Sequence, residues 1–424
     1  MLLPIRVANA PIQARVVIPG SKSMTNRALL LAALADGVSE ISDMLICDDT
    51  LTLINALHDL GIMMQLDKTT HSCIIGGAGG QFPRSQATIW CSDAGTVARF
   101  MLAACAASPG SYRIDASEQL RKRPLAALLR ALTTQGVKIS PETAAQMPFT
   151  VIGTDGLAGG EIEVDASETG QLISALLMVA PFAKKPLLIK TEEQVSIPYI
   201  EMTCEMMADF GALVRRMHSG RFIVPTPQRY HGRDYTIEPD FSTASYFFAA
   251  AAVTGGMVTI QPVNRVTSRQ GDAEFLTVLE KMGCTIIDNQ DGLSVQGPAE
   301  LHGVSVDMRH YSDTFMTLAA IAPFAKTPTS ITNIGHVRKK ESDRIAVMRA
   351  ELEKCQVKVE EGKDWLKIYP SEPQTATVDS HGDHRIAMAF ALVGLRVPGI
   401  SINNAECVNK TCPDFFEMWN KLYP

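Results

Sequence analysis

The feature that most constrains the fold is an internal repeat. Short, almost entirely apolar segments occur six times, each preceded by a small polar cluster, at intervals of about 70 residues. The apolar segments are Ala28 to Ala35, Phe100 to Ala107, Leu172 to Ala183, Tyr246 to Val253, Met316 to Ala325 and Ile386 to Val393. The sequence therefore predicts six copies of one supersecondary unit.

A second, amphipathic helix pattern follows in five of the copies. These patterns are Leu51 to Gly61, Pro124 to Gly136, Tyr199 to Gly211, Asp272 to Gly283 and Asp343 to Gln356. Only the last lacks the terminal Gly that is typical of a helix C-terminus. β-branched runs between the helices, such as Val16 to Ile18 and Val258 to Ile260, predict strands.

A helix that is apolar on every side must be buried on every side, whereas an amphipathic helix can lie on the surface. Six buried helices predict two bodies of three units each. The polar clusters precede these helices, so free backbone N–H groups at several helix N-termini are expected to favour anions.

Composition restricts the class of protein. The chain has 424 residues, 46% hydrophobic and 20% charged, which describes a globular protein of about two domains. A net charge of -6 argues against a nucleic-acid partner. The nine cysteines form no Cys-x-x-Cys pair and no zinc pattern, so we expect reduced thiols and no metal. No targeting or membrane segment is visible, which favours a cytoplasmic enzyme.

Basic residues stand at the boundaries of the repeats despite the acidic total. They are Lys22, Arg27, Arg123, Lys340, Arg344, Arg385 and Lys410. Singly, each is compatible with a solvated helix end or turn, Arg123-Pro124 with a simple helix start, and Asp313 with an N-cap. Gly20-Ser21-Lys22-Ser23 lacks the spacing of a P-loop, which argues against an NTPase. Together, the seven cations favour a small polyanionic substrate.

Several motifs resemble the 5-enolpyruvylshikimate-3-phosphate synthase (EPSP synthase) family. They are Pro19 to Arg27, Asp93 to Thr96, Arg123-Pro124, Lys340 to Arg344, Asp383 to Arg385 and Lys410-Thr411, in the family's order and spacing across the chain. The resemblance implies an α/β fold, a two-domain inside-out α/β barrel in which each domain has three βαβαββ repeats around buried parallel helices. It also implies transfer of the enolpyruvyl group of phosphoenolpyruvate to the 5-hydroxyl of shikimate 3-phosphate, without a metal or organic cofactor.

The resemblance also implies the residues that bind each substrate. Positions matching the shikimate 3-phosphate contacts are Ser23, Arg27, Thr169, Gln171, Ser196, Tyr199, Asp313, His336 and Lys340. Positions matching the phosphoenolpyruvate contacts are Lys22, Gly95, Arg123, Gln171, Arg344, His384, Arg385 and Lys410. Gly95 suits its position because a residue without Cβ lets the backbone approach a ligand closely.

The chemistry requires a base for the 5-hydroxyl, an acid for the methylene carbon, and reversal of both roles to expel phosphate from a tetrahedral intermediate. We assign the hydroxyl proton to Asp313 and the methylene carbon to Glu341 as a hypothesis. Lys22 is then assigned to the phosphate-bearing side of the reacting centre and to part of the proton transfer. The sequence leaves open which group is the acid and which the base.

Some positions depart from the family's common pattern. Asp93 stands where Asn is usual, Phe100 replaces a Pro, Gly170 replaces a Ser, and His336 replaces an Asn. Because several of these positions flank the expected phosphoenolpyruvate pocket, we predict altered sensitivity to glyphosate, the family's inhibitor.

Two other functions stay open at this point. The first is the related UDP-N-acetylglucosamine enolpyruvyl transferase, although Lys22-Ser23 and Arg121 to Pro124 lack its Lys-Asn pair and loop Cys. The second is a non-catalytic repeat scaffold, which does not account for the complementary charged clusters.

The resemblance predicts a first domain of residues 21-238 and a second of 1-20 plus 239-424, with the active site in the cleft between them. Closure around the substrates would use hinges near Pro19-Gly20 and Glu238-Pro239. We expect a monomer that binds only its small-molecule substrates, with no nucleic acid and no membrane.

Overall fold

The computed structural model describes residues 1–192, 196–217, 220–289 and 292–423. The chain divides into two compact units. Unit 1 consists of Met1–Pro19 and Glu238–Pro424, and unit 2 consists of Gly20–Ile237. Unit 2 is therefore one continuous segment inserted into unit 1.

The N-terminal segment of unit 1 contributes two strands, β1 (Leu2–Pro4) and β2 (Gln13–Val17). Unit 2 then follows in chain order. Its elements are α1 (Lys22–Leu34), β3 (Val38–Ser42), α2 (Asp48–Asp59), β4 (Met63–Asp67), β5 (Ser72–Gly76), β6 (Gln86–Trp90), α3 (Gly95–Ala107), β7 (Gly110–Asp115), α4 (Glu118–Arg121), α5 (Ala126–Thr134), β8 (Lys138–Ser140), β9 (Phe149–Gly153), β10 (Gly160–Glu163), α6 (Gln171–Val179), β11 (Leu187–Lys190), α7 (Ile197–Asp209), β12 (Arg215–Met217), β13 (Arg221–Val224) and β14 (Asp234–Thr236).

The chain then completes unit 1. Its elements are α8 (Phe241–Thr254), β15 (Met257–Gln261), α9 (Phe275–Lys281), β16 (Thr285–Asn289), β17 (Gly292–Gln296), β18 (Ser305–Asp307), α10 (Phe315–Ile321), β19 (Thr329–Thr332), α11 (Arg344–Lys354), β20 (Val359–Glu361), β21 (Leu366–Ile368), β22 (Thr377–Asp379), α12 (His384–Arg396), β23 (Ser401–Asn403) and α13 (Phe415–Asn420). Short 3₁₀ helices occur at Ala180–Phe182, Gly271–Glu274, Ser312–Thr314, Ala322–Phe324, Gly335–Lys339 and Ala405–Lys410.

The described strands form six sheets, three in each unit. The orders in unit 2 are β14-β3-β5-β4, β6-β7-β9-β8 and β10-β11-β13-β12. Those in unit 1 are β2-β15-β17-β16, β18-β19-β21-β20 and β22-β23-β1. Each sheet starts with a parallel pair and continues antiparallel, as in β6–β7 and β7–β9. This repeated topology confirms the predicted βαβαββ unit.

The first strand in two of the sheets comes from a distant part of the chain. β14 pairs with β3 at the opposite end of unit 2, through Tyr235 and Ile41. β2 pairs with β15 across the inserted unit, through Val16 and Ile260. Both connections lie beside the points where the chain passes between units.

One helix of each repeat lies in a core. The set is α1, α3 and α6 in unit 2, and α8, α10 and α12 in unit 1, and nearly every residue of these helices is buried. Two separate apolar cores result, one in each unit. The prediction of six buried helices in two bodies is confirmed.

Some boundaries differ from the sequence prediction. The apolar pattern predicted helices through Ala183 and Ala325, but α6 ends at Val179 and α10 at Ile321, each followed by a 3₁₀ turn. Each turn contains a proline, Pro181 or Pro323, which cannot donate a hydrogen bond to the preceding α-helix. Likewise α5 begins at Ala126 rather than at Pro124.

Left-handed residues follow the amphipathic helices. Gly61, Gly136, Gly211 and Gly283 have φ between +88° and +104°. Gln356 takes the same place after α11, with φ +63°. The missing glycine of the fifth pattern is thus replaced by an exposed, non-glycine residue in a conformation that favours glycine.

Candidate active site

The buried helices of the two units begin differently. In unit 2, the N-cap residues of α1, α3 and α6 are Ser21, Ala94 and Gly170, and none of their side chains caps the helix. In unit 1, Asp240 caps α8 and Asp383 caps α12, whereas the N-cap side chain of α10, Thr314, makes no cap hydrogen bond. Backbone N–H groups at the three unit 2 ends are consequently not satisfied by an N-cap side chain, which favours anion binding there.

Arg27 of α1 is 2% exposed and is surrounded by neutral oxygens. Its Nε donates to Thr203 Oγ1 at 2.7 Å. Its other nitrogens donate to the Ser23 and Tyr199 carbonyls and to Ser174 Oγ. Burial lowers the pKa of Arg27 to about 10. Because the acceptors that the described residues offer to it in these bonds are dipoles rather than carboxylates, an anionic ligand would be electrostatically favoured here.

Phe100 of α3 packs against the same guanidinium. Its ring centroid lies 5.3 Å from Cζ of Arg27, and its side chain is fully buried. The residue that departs from the family pattern is therefore a cation–π partner of a predicted substrate contact.

Lys22 forms an ion pair near the start of α1. Its Nζ lies 2.9 Å from Oδ2 of Asp49, at the start of α2. The side chains are 16% and 5% exposed, respectively. A predicted substrate contact in unit 2 is thus paired with a nearly buried carboxylate.

Gly95 opens α3 against two arginines. A Cβ on Gly95 would lie 2.7 Å from Arg99 NH1 and 2.9 Å from Arg123 NH1. Arg99 donates to the Gly95 carbonyl at 2.8 Å and to Gln171 Oε1 at 3.1 Å. Gln171 in turn donates to Thr96 Oγ1, and its backbone N–H donates to Thr169 Oγ1. These bonds bring together predicted residues from two repeats.

Asp93 accepts a short hydrogen bond from the Ser117 hydroxyl. Ser117 also caps α4 by accepting from the Leu120 N–H at 3.2 Å. The unusual carboxylate is thus tied to the segment that leads to Arg123.

Arg344 contacts three carboxylates in unit 1. It is 2% exposed and lies at the start of α11. Its guanidinium donates to Asp313 at 3.0 Å, to Glu341 at 2.8 Å and to Asp383 at 2.8 Å. Burial opposes its charge, but the three carboxylates outweigh burial and raise the pKa of Arg344.

Asp313 links Arg344 to Arg385. Its Oδ2 accepts from Arg385 NH2 at 2.8 Å, and its side chain is 24% exposed. Burial would raise the pKa of Asp313, but Arg385, Arg344 and Lys340 hold it well below the ordinary value. Tyr311 and Thr314 occupy the N-cap positions of the 3₁₀ helix and of α10, so Asp313 is not an N-cap residue.

Histidines also lie in this cluster. His336 Nε2 lies 2.8 Å from Ser312 Oγ. Burial first, and then the charge of Lys340, lower the pKa of His336 to about 3, so the imidazole is neutral at pH 7. His384 is 1% exposed, with Nδ1 3.7 Å from Asp383 Oδ1.

The predicted residues divide between the two units, and each set is named the charged cluster of its unit. In unit 2 these are Lys22, Ser23, Arg27, Gly95, Arg123, Thr169, Gln171, Ser196 and Tyr199. In unit 1 they are Asp313, His336, Lys340, Glu341, Arg344, His384, Arg385 and Lys410. Lys410 is 8% exposed at the end of a 3₁₀ helix, and Ser196 precedes α7 with φ +56°.

The sequence analysis missed several partners of these residues. The missed hydrogen-bond partners in unit 2 are Asp49, Arg99 and Thr203, and those in unit 1 are Ser242 and Asp272. A carboxylate at the start of an amphipathic helix was the available signal for Asp49. No local pattern marks Thr203, which is 176 positions from Arg27.

Among the residues that the structure describes, no group of three or more His, Cys, Asp or Glu side chains could hold a metal ion. Within the same residues, no helix has the length and apolarity needed to cross a membrane.

Comparison with known proteins identifies the family. Residues 7–419 match EPSP synthase (3-phosphoshikimate 1-carboxyvinyltransferase). Two proteins named 3-phosphoshikimate 1-carboxyvinyltransferase are similar over most of their length. The protein from Trichormus variabilis is 44% identical over 99% of each chain. The one from Nostoc punctiforme is 45% identical over 98% of this chain and 97% of its own.

Solved structures agree on the fold. An EPSP synthase from Acinetobacter baumannii has a TM-score of 0.84 at 24% identity, covering 100% of this chain and 98% of that chain. An enolpyruvyl transferase from Streptomyces tendae has a TM-score of 0.78 at 18% identity, covering 99% and 97%. The UDP-N-acetylglucosamine transferase and the scaffold are not favoured by these matches. From the repeated fold, the two charged clusters and these similarities, we conclude that the chain belongs to the EPSP synthase family.

Proposed function

We propose that the chain transfers the enolpyruvyl group of phosphoenolpyruvate to the 5-hydroxyl of shikimate 3-phosphate and releases phosphate. The observation that carries the proposal is the extended similarity to proteins named for this carboxyvinyl transfer, at 44% and 45% identity. The charged clusters fit it chemically, because both substrates carry a phosphate and a carboxylate that suit Arg and Lys donors.

Shikimate 3-phosphate would be bound by residues from both clusters. The proposed contacts are Ser23, Arg27, Thr169, Gln171, Ser196, Tyr199, Asp313, His336 and Lys340. Arg27 supports this role because it is a buried cation held by neutral acceptors. His336 stays neutral at pH 7 and can donate or accept one hydrogen bond, whereas Asp313 can accept from a substrate hydroxyl.

Phosphoenolpyruvate would be bound by a second set. The proposed contacts are Lys22, Gly95, Arg123, Gln171, Arg344, His384, Arg385 and Lys410. Arg123 lies against the Cβ-free face of Gly95, beside the start of α3. An anion at this point would meet both a guanidinium and the positive end of a buried helix.

The reaction would proceed by addition and elimination. In the addition step, the 5-hydroxyl loses its proton, its oxygen bonds to C2 of phosphoenolpyruvate, and the methylene carbon gains a proton to become a methyl group. In the elimination step, a proton leaves that methyl group, the double bond reforms, and the C2–O bond to phosphate breaks. We assign the hydroxyl proton to Asp313, the carbon proton to Glu341, and the phosphate-bearing side to Lys22.

The electrostatics support different roles for the two carboxylates. Asp313 faces Arg344 and Arg385 and stays ionised. It is therefore suited to accept a hydrogen bond from the 5-hydroxyl and to stabilise developing positive charge. Glu341 is 10% exposed and contacts Arg344 at 2.8 Å. The different surroundings of these groups are a common means of separating acid and base functions.

The proposal needs residues of both units to act on the same two substrates. We therefore propose an active site between the two domains, closed by movement at hinges near Pro19-Gly20 and Glu238-Pro239. One chain supplies the whole set, so we propose a monomer. We also propose a cytoplasmic location, consistent with nine free cysteines.

Phosphate release tests the function directly. The protein is incubated with phosphoenolpyruvate alone, with shikimate 3-phosphate added, or with UDP-N-acetylglucosamine added. We expect phosphate release only with shikimate 3-phosphate, together with formation of the carboxyvinyl product. Release with UDP-N-acetylglucosamine instead, or no release with either acceptor, would overturn the proposal.

A further inference from the structure

Unit 1 contains a buried carboxylate that is not itself a proposed substrate contact. Asp272 is 2% exposed and belongs to the 3₁₀ helix Gly271–Glu274, before α9. An ionised carboxylate is costly to bury unless other groups compensate it. Its position in unit 1 therefore calls for a functional account.

Hydrogen bonds connect Asp272 to the substrate cluster. The Ser242 hydroxyl donates a short bond to Asp272 Oδ2. Because a serine hydroxyl has one proton, Ser242 Oγ must then act as the acceptor towards Arg385 NH2, 3.3 Å away. The other acceptor of that nitrogen is Asp313 Oδ2, at 2.8 Å. Both hydrogens of NH2 consequently have defined acceptors, which fixes the plane of the guanidinium.

The turn that carries Asp272 is firmly attached to the start of α8. Gln270 accepts from the Phe241 N–H at 3.0 Å and donates to the Pro239 carbonyl at 2.7 Å. Ser242 lies one residue beyond Phe241, so the donor and the acceptor of the short bond are held by the same contacts. The arrangement is a rigid support for Arg385.

We propose that Asp272 is a positioning residue for phosphoenolpyruvate, acting through Ser242 to fix the orientation of the Arg385 guanidinium. The inference rests on the proposed function, in which Arg385 contacts phosphoenolpyruvate.

The electrostatic surroundings support this role. Burial first, and then the charge of Asp313, raise the pKa of Asp272 to about 7, against the opposing effect of Arg385. Among the described residues, charged or titratable groups near this turn also include Asp240 at the start of α8, Glu274 in the turn, and Tyr311. Near neutral pH, Asp272 thus changes from an acceptor of the Ser242 proton to a group that can donate to Ser242.

The test compares Asp272→Asn with the unchanged full-length enzyme at two pH values. Asparagine is neutral at both, so it imitates the protonated aspartic acid. At pH 8.5 we expect KM for phosphoenolpyruvate to rise about tenfold, the scale of a hydrogen bond to a charged group, while KM for shikimate 3-phosphate stays within about twofold. At pH 6 the variant and the unchanged enzyme should converge, because Asp272 is then also neutral.

Controls separate positioning from general structural damage. Ser242→Ala should raise KM for phosphoenolpyruvate to a similar extent, and the double variant should be no worse than either single variant. Glu351→Gln removes an equally buried carboxylate that pairs with Lys354 and His381, and should not change this KM at either pH.

The inference is overturned if Arg385→Lys raises KM for phosphoenolpyruvate but Asp272→Asn does not. It is also overturned if the ratio between Asp272→Asn and the unchanged enzyme is the same at both pH values, or if the two single effects simply add. Failure of the unchanged enzyme to release phosphate would instead contradict the proposed function.

Discussion

A Cβ atom on Gly95 would lie 2.9 Å from Cζ of Arg123. Since real Cβ atoms do not approach other atoms so closely, an alanine here must displace this guanidinium and also that of Arg99, whose NH1 would lie at 2.7 Å. Each guanidinium is the far end of a flexible side chain, so it can move without disturbing the backbone.

For Gly95→Ala we therefore expect an intact fold and weaker phosphoenolpyruvate binding. KM for phosphoenolpyruvate should rise on the order of tenfold to hundredfold, because misplacement by about 1 Å has effects of that size. Steady-state kinetics with each substrate varied in turn measures this. An unchanged KM for phosphoenolpyruvate would show that Arg123 does not contact that substrate.

Glu341→Gln should separate chemistry from binding. The side chain is nearly buried and pairs with Arg344, and glutamine keeps its shape but neither ionises nor delivers a proton as an acid. We expect kcat to fall on the order of a hundredfold or more, the usual contribution of general acid–base catalysis. Both KM values should change little. Glu353→Gln, which removes an exposed partner of Arg349, is the control and should keep full turnover.

His336→Asn should change how stability depends on pH. The folded-state pKa of about 3 is below the ordinary value of 6.5, because burial and Lys340 disfavour the charged imidazole. Between these values the unfolded chain binds more protons, so the stability of the unchanged protein falls as pH decreases from 6.5 towards 3.

The asparagine variant should lose less stability over this range. At pH 4.5 the unchanged protein should lose roughly 2 to 3 kcal/mol more than the variant, relative to pH 7.5. Urea unfolding at the two pH values measures the difference. His302→Asn, at an exposed site, is the matched control. Equal losses in protein and variant would contradict a neutral His336.

Gln356→Gly should stabilise unit 1. Gln356 has φ +63° after α11, a conformation that disfavours any residue with a Cβ. Because glycine also loses more chain entropy on folding, the expected net gain in unfolding free energy is about 0.5 to 1 kcal/mol. Thermal or urea unfolding measures it, with kinetics expected to stay unchanged.

The reverse substitution provides a control in the other unit. Gly136 has φ +88°, and a Cβ there would meet no heavy atom within 4 Å. Gly136→Ala should therefore lower stability by about 1 kcal/mol through backbone conformation alone. A gain in stability for Gly136→Ala would contradict the argument for both positions.

The repeat could be predicted because its signals are local. A helix without a polar face and a glycine after an amphipathic helix are both visible within about 15 residues. The second helix of the sixth repeat, α13, was missed because it has only six residues and begins soon after Pro413. The pairing of β2 and of β14 was also not predicted, since it depends on distant residues, although Val16 to Ile18 had indicated a strand that overlaps β2.

In the candidate site, too, the residues with a local signal could be predicted and those that depend on distant contacts could not. Its cations stood out because they break the usual preference at helix N-termini. Their protein partners did not, because three acceptors of Arg27 come from α6 and α7, and the link from Asp272 to Arg385 described above runs through Ser242 of another helix. Which charges are compensated is a property of tertiary packing, and a linear pattern does not contain it.

The pairing of β2 with β15 also orders events during synthesis. The two strands are separated by roughly 240 residues, and closing so long a loop before other contacts form is entropically unfavourable. Unit 2 emerges from the ribosome as one continuous segment and can fold while β2 still waits for its neighbour. β2 therefore reaches its place in a sheet only after the inserted unit has been translated, and until then its edge is open to wrong partners.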